Sequence, residues 1–380
     1  MKWNRRHVLD TDDWSRNEIE TVLDQTRAMI EILQRPIRRA PPLRGRTVIL
    51  FFAESSTRTR VSFELAAKAL SADVTNITAS GSSVDKGESL YDTVRTLQAL
   101  GGDVVVMRHA SSGAPYFVAE RTDAAVINAG DGWHAHPTQG LLDAYTLRDA
   151  LGDLEEKRIV IVGDVLHSRV ARSDINTLLP LGARITLSGP PTLIPTAWRC
   201  GQLPPGVTYE SDLDLALDGA DAVIALRLQR ERQESGLLPS LREYSRVWGV
   251  TVERVARMRS GAPVMHPGPM NEGIEIDAAV AHGTRSLIEA QVTNGVAVRM
   301  ALLYLLAGAG TATPVEERAW SWKVDTSRCL GSWISMRTSV SRALRNRKRL
   351  RPARTPRCMA DSRRSARCRT PIRRSTRPRS

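Results

Sequence analysis

Residues 51–64 read FFAESSTRTRVSFE. Five hydroxyl and guanidinium side chains (Ser56, Thr57, Arg58, Thr59 and Arg60) follow the apolar run Thr47–Phe52 and precede a helical pattern, VSFELAAKAL, at 61–70. The N–H groups at a helix start are unpaired donors at the positive end of the helix dipole. Hydroxyls and the guanidinium fork add donors that fit phosphate oxygens. The cluster therefore suits a phosphate dianion. The alternative is a capped helix start with solvated arginines, and two arginines with three hydroxyls behind a strand favour the anion site.

Further candidates recur along the chain. SGSSVDKGES (80–89) carries Lys86 in a Gly/Ser loop before a helix, and taken alone reads as a surface loop. VMRH (106–109) sets Arg108 at the end of a buried strand, where a terminal surface charge is an equal alternative. In NAGDGWHAHPTQGLLDAYTL (128–147) a Gly/Asp turn delivers His136 just before Pro137, with Gln139 opening a helix. A lone histidine is more often structural, but at a strand end beside a helix start it stays neutral or donates to developing negative charge. GDVLHSRVARSD (163–174) places Arg169 in a loop after a strand and lacks the G-x-G-x-x-G dinucleotide pattern. ALRLQRERQESG (225–236) puts Arg227 and Gln229 at another strand end, with Arg230 and Arg232 read as surface charges. VMHPGPMNEGIEID (264–277) is a rigid Pro/Gly turn whose carbonyls can accept from an N–H₂ group.

These residues need a frame. Ser15 and Glu18 form a capping-box pattern for a helix from Arg16 to about Leu33, with Ile19, Val22, Leu23, Met29, Ile30 and Leu33 on its apolar stripe. Residues 36–46 read as a loop. The runs TVILFF, DVTNI, DVVVM and AAVIN, then RIVIVG, ARITLS and DAVIALR, alternate with helical segments. That alternation predicts an α/β fold of two doubly wound parallel-sheet domains joined by helices. The site is expected at the carboxyl ends of the strands and in the cleft between the domains. No internal repeat is evident. GVAVRMALLYLLAGAG (295–310), interrupted by Arg299, reads as a core helix rather than a membrane span.

Composition sets the bounds. At 380 residues, 42% hydrophobic and 25% charged, the chain suits two globular domains. Its net charge of +13 is unevenly placed: residues 311–380 hold 20 of the 54 Lys/Arg and 4 of the 41 Asp/Glu. The remaining 34 basic and 37 acidic residues leave the body at −3. The segment after Gly310 has no apolar periodicity and is expected to be disordered. Its Arg/Ser/Pro bias resembles out-of-frame translation of a GC-rich gene. Of four cysteines only Cys200 lies in the body, and neither a disulfide framework nor a metal-ligand spacing emerges, which points to a reducing cytoplasm. The N-terminus lacks the apolar core of a signal peptide.

STRTRVSFE, DKGES, VMRH, HPTQGLLD, RLQRER and HPGP occur in the order and approximate spacing of aspartate carbamoyltransferase catalytic chains, over residues 1–310. The chain thus resembles that family. The resemblance implies transfer of the carbamoyl group from carbamoyl phosphate to L-aspartate, without cofactor or metal, in pyrimidine synthesis. It implies a phosphate cradle of Ser56, Thr57, Arg58, Thr59 and Arg108. Thr59, Arg108 and His136 would polarise the carbamoyl carbonyl, and Gln139 with the carbonyls near Pro267 and Gly268 would hold its amide. Arg169, Arg227 and Gln229 would bind aspartate. Ser82 and Lys86 would enter a neighbouring subunit's site, both binding carbamoyl phosphate there and Lys86 aspartate as well, implying a homotrimer.

The implied domains are 1–137, closed by a C-terminal helix at 287–310, for carbamoyl phosphate, and 138–286 for aspartate. The basic tail, 311–380, has no counterpart in a typical member, and Glu272 stands where many relatives have arginine. A regulatory chain or dihydroorotase is a possible partner in the family; no membrane partner is expected. Alternatives are ornithine carbamoyltransferase, a protein binding nucleic acid nonspecifically through the tail, and a catalytically dead scaffold. The turn HPGP, in place of that relative's HCLP, and Arg227, which would repel a cationic side chain, argue against ornithine; the intact site set argues against a scaffold.

Overall fold

The computed structural model describes residues 3–78, 89–228 and 240–308. The expectations for Ser82, Lys86, Gln229 and the tail lie outside them. In chain order the first part comprises α1 (Arg16–Gln34), β1 (Thr47–Phe52), α2 (Thr57–Ala69), β2 (Asp73–Thr78), α3 (Leu90–Ala99), β3 (Val104–His109), α4 (Ala114–Ala119), β4 (Ala125–Asp131) and α5 (Pro137–Leu151). There follow β5 (Arg158–Val162), α6 (Arg169–Leu178), β6 (Arg184–Ser188), α7 (Thr196–Arg199), β7 (Val207–Tyr209), α8 (Leu213–Leu217) and β8 (Ala222–Ala225). The last are α9 (Leu241–Trp248), α10 (Val252–Arg257), β9 (Val264–Met265), α11 (Ala278–Ala281) and α12 (Ile288–Leu303).

The strands form two parallel sheets, ordered β2-β1-β3-β4 and β7-β6-β5-β8-β9. Val48 to Phe52 are all buried, without the alternation of a strand that faces water on one side. Ile49, Phe51, Val105 and Met107 pack beneath α3 and α4, while α2 also packs on β1 and β2. In the second sheet Val160, Val162, Val223 and Ala225 share a core with α8, α10 and α11.

Several local expectations hold. The Ser15–Glu18 capping box is formed on both sides. β1 spans TVILFF as read. Others shift. The helix after β1 starts at Thr57, not near 61, so the hydroxyl and guanidinium residues form its first turn. Arg169 is the first residue of α6 rather than a loop residue, because Ser168 caps that helix by accepting from the Ala171 N–H at 3.1 Å. β7 went unread because three residues carry no period.

α12 with its π-helical continuation to Gly308 is long and apolar enough, by length and composition alone, to cross a membrane. Here it packs on α1, α2 and α5. Arg299 is the interruption in its apolar pattern. It is buried, donates to Ser62 Oγ at 2.8 Å and lies over the Phe63 ring.

α5 and α6 approach at Gly140, where an added Cβ would sit 2.5 Å from the Ser173 carbonyl oxygen and 2.7 Å from Thr177 Oγ1. Both neighbours belong to a helix turn that cannot swing aside. Gly140→Ala gains about 1 kcal/mol of helix propensity but overpacks this contact at a cost of roughly 1–3 kcal/mol. A lowered melting temperature is expected; a raised one would contradict the packing.

Candidate active site

The carboxyl ends of both sheets face one cleft. Connections leave in opposite directions at the β1/β3 boundary of the first sheet and the β5/β8 boundary of the second. Such switch points are where open parallel sheets bind ligands. The segment after β1 supplies Glu54 to Thr59, and β3 carries Arg108 next to its last residue. The turn after β5 leads to Arg169, and Arg227 follows β8. All line a cleft of about 900 Å³, of ordinary size for a small-molecule site.

At the start of α2, Ser56 has N-cap geometry (φ −161°, ψ 96°) but no capping hydrogen bond from its side chain. Its hydroxyl instead lies 3.0 Å from Thr59 Oγ1. A capped helix start, the alternative for this motif, is therefore not formed. The first-turn N–H groups are left for an anion at the positive end of the helix.

Arg58 donates from Nη1 to the Pro267 carbonyl at 2.8 Å and packs against Gly268, where any side chain would collide with the guanidinium. The α2 cluster and the 264–277 turn are thus brought together. The second lone pair of the Pro267 carbonyl remains available to an N–H donor. Desolvation and the charge of nearby Arg227 both lower the Arg58 pKa from its ordinary value.

Glu54 organises the other cations. Its Oε1 lies 2.6 Å from Arg108 Nη2 and 2.7 Å from Arg169 Nη2, so one carboxylate joins the two sheets' arginines. Arg108 also donates to the Ala129 carbonyl (3.2 Å) and Arg169 to that of Gly132 (3.1 Å). Gly130, at φ +115°, lies beneath both; a Cβ there would meet the Arg169 and Arg108 guanidiniums at 3.0 and 3.1 Å. Arg169, expected as an amino-acid ligand, is therefore already held by Glu54.

His136 is the N-cap residue of α5. It is buried, and its backbone N–H donates to Ser173 Oγ at 2.8 Å. Burial, then the charges of Arg108, Arg169 and Arg299, hold its imidazole pKa well below the ordinary value, so it is neutral near pH 7. Gln139 Nε2 donates to both Asp143 oxygens at 3.1 Å, which turns its carbonyl end away from Asp143.

Other supporting residues escaped the sequence reading. His266 is fully buried, with Nδ1 accepting from the Gly268 N–H (2.7 Å) and Nε2 3.3 Å from Glu275. Glu275 also accepts from the Asn271 backbone N–H at 2.7 Å, pinning the turn. Glu272 lies outside this set; it stands 3.2 Å from His282 Nε2. Glu54 was visible inside the quoted motif as an acid among cations, and Arg299 as a charge within an apolar helix. Nothing local marks Glu275, whose partners lie in its own folded turn.

Residues 6–149 match the carbamoyl-P binding domain model of the aspartate/ornithine carbamoyltransferases, and 155–306 match their Asp/Orn binding domain model. The chain is 60% identical over 304 residues to the aspartate carbamoyltransferase catalytic subunit of Chloroflexus aurantiacus, covering 80% of this chain and 99% of the relative. It is 52% identical over 316 residues to that of Desulfitobacterium hafniense, covering 83% and 100%. Among solved structures, Trypanosoma cruzi aspartate transcarbamoylase in complex with N-(phosphonacetyl)-L-aspartic acid superposes with a TM-score of 0.72 at 28% identity, covering 80% and 96%. Ornithine carbamoyltransferase from Pyrococcus furiosus gives 0.72 at 25%, covering 82% and 100%. The two parallel sheets, their shared cleft and these matches lead to one assignment: the chain belongs to the aspartate/ornithine carbamoyltransferase family.

Proposed function

We propose that this chain is an aspartate carbamoyltransferase, transferring the carbamoyl group of carbamoyl phosphate to the amine of L-aspartate and releasing phosphate. The product, N-carbamoyl-L-aspartate, is an early intermediate of pyrimidine synthesis. The observation that carries the choice of substrates is charge. Five guanidiniums (Arg58, Arg108, Arg169, Arg227 and Arg299) line the cleft, and Glu54 is the only carboxylate among its described lining residues. A phosphoryl dianion with a dicarboxylate amine complements that excess of guanidiniums among the described lining residues. Ornithine would add a cation to it. The names of the relatives at 52–60% identity support the same choice.

The chemistry follows from position. The first turn of α2, with Ser56, Thr57, Arg58 and Thr59, faces the phosphoryl group, and Arg108 joins it. Arg169 and Arg227 take the two carboxylates of aspartate and aim its amine at the carbamoyl carbon. Such orientation is worth roughly 7–11 kcal/mol of barrier. As the C–N bond forms, charge develops on the carbonyl oxygen, where Thr59, Arg108 and neutral His136 donate; each such donor contributes about 10²–10³ in rate. The C–O bond to phosphate then breaks, and the leaving phosphate takes the proton from the nitrogen. Gln139 and the carbonyls of Pro267 and Gly268 accept from the carbamoyl N–H₂ group.

A homotrimer with shared sites, Ser82 and Lys86 entering a neighbour's cleft, completes the proposal, and a cytoplasmic location accords with the free, exposed Cys200. Supporting the shared site, Val61 and Leu65 lie exposed one turn apart on α2, the helix that opens the cleft. Lys86→Ala chains mixed with Arg58→Ala chains are expected to regain activity that neither has alone. Two variants that stay inactive after verified co-assembly would oppose it.

Substrate choice is tested by carbamoylation assays with aspartate and ornithine side by side. Aspartate is expected to react, and Arg227→Ala to raise KM for aspartate far more than for carbamoyl phosphate. Preference for ornithine by the unaltered enzyme would overturn the reading. Glu54→Gln keeps the side chain's shape but removes the charge shared by Arg108 and Arg169. Its expected effect is a 10- to 100-fold fall in kcat/KM, from about 1.5–3 kcal/mol for a charged hydrogen bond; unchanged kinetics would remove Glu54 from the site.

A further inference from the structure

Beneath the cleft two carboxyl groups meet in the protein interior. Asp143 on α5 and Asp174 on α6 are both fully buried, α5 and α6 approach at Gly140, and the two side chains lie within hydrogen-bonding reach of each other. The donors gather on one of them. Asp143 accepts from Gln139 Nε2 at 3.1 Å and from Gln291 Nε2 at 2.6 Å, and it feels the positive charge of Arg299 on α12. No nitrogen donor among the described residues reaches either Asp174 oxygen.

As two carboxylates these groups repel, and burial in a low-dielectric interior disfavours both charges. As an acid and a carboxylate they form one O–H···O bond. Burial raises both pKa values, that of Asp143 to about 6 and that of Asp174 well above the carboxylate range. The group with the two amide donors and the arginine is the better place for the charge. Asp174 therefore holds the proton.

The consequence reaches the site through two glutamines. Because Asp143 binds the N–H₂ end of Gln139, the carbonyl end of Gln139, which lines the cleft, is the end left to face it. Gln291, held the same way, accepts the His266 backbone N–H at 3.0 Å through Oε1. His266 opens the turn that carries the Pro267 and Gly268 carbonyls. All acceptors assigned to the carbamoyl N–H₂ group thus trace back to one carboxylate. We propose that Asp174 is a protonated positioning residue whose O–H fixes Asp143, and through Gln139 and Gln291 orients the acceptors for the carbamoyl amide. This rests on the carbamoyl phosphate reading of the cleft.

Two substitutions separate this role from plain packing. Asp174→Asn retains a neutral donor of the same shape, while Asp174→Leu retains bulk without a donor. Infrared difference spectra of unaltered protein against Asp174→Asn are expected to show the C=O band of a buried carboxylic acid, lost in the variant. Asp174→Asn is expected to keep the unaltered KM for carbamoyl phosphate at neutral pH. Asp174→Leu should raise it about 10-fold or more, the loss of one hydrogen bond to a charged group, with a smaller change for aspartate.

The sign with pH follows from the raised pKa. Below it the proton is in place. As pH rises through it, a second carboxylate appears beside Asp143, so affinity for carbamoyl phosphate falls in the unaltered enzyme and not in Asp174→Asn. Absence of the acid band, identical pH profiles of the unaltered enzyme and Asp174→Asn, or an unaltered KM in Asp174→Leu would each overturn the proposal. Should Asp174→Leu fail to fold, the band and the Asp174→Asn profile decide. Failure to carbamoylate aspartate would strike the functional reading instead, and the infrared band would still decide where the proton lies.

Discussion

Five like charges converge on one cleft, and the rest of the site is arranged around that repulsion. Guanidinium groups do not lose their protons at physiological pH, so they cannot relieve it by titrating. Glu54 offsets part of it by standing between Arg108 and Arg169 at 2.6 and 2.7 Å. Arg58 is steadied by the Pro267 carbonyl and Arg299 by Ser62 and the face of Phe63. Among the described lining residues guanidiniums outnumber carboxylates at the carboxyl ends of the two sheets, beside the first turn of α2. Such a cleft attracts and orients anions before any bond is made. Burial first, and then the same field, keeps His136 neutral.

A second layer turns this field into geometry. The acceptors for an amide are not strongly held by charge, and each needs a fixed direction. Buried polar groups supply it: Asp143 for two glutamines, and Glu275 for His266 and Asn271. Residues held by packed helices and strands are placed more precisely than residues on loops alone. The close contacts at Gly140 and Gly130 serve this purpose, one allowing α5 to lie on α6 and the other clearing space for two guanidiniums.

Much of the fold was legible because it is written in local terms. β1 is six consecutive apolar or β-branched residues, and α1 begins where a serine and a glutamate satisfy each other's backbone donors. The Ser56–Arg60 cluster stood out in the sequence because its hydroxyl and guanidinium donors, set at a helix start, suit a phosphate. The start of α2 was misplaced because Thr57, Arg58 and Thr59 have no apolar periodicity, although they are helical. Glu54 was passed over because its partners lie 54 and 115 residues away. Asp143 and Asp174 were invisible for a similar reason: each falls in a helical pattern as an ordinary polar residue. Only the crossing of α5 and α6 makes them a pair.

The central claim is that a single cleft holds a phosphoryl group and a dicarboxylate at once. Calorimetric titration with N-(phosphonacetyl)-L-aspartic acid, which joins both in one molecule, tests it most directly. The account predicts saturable binding of one molecule per chain, competitive with carbamoyl phosphate and far tighter than either phosphate or succinate alone. Folded protein that binds this compound no more tightly than phosphate would contradict it.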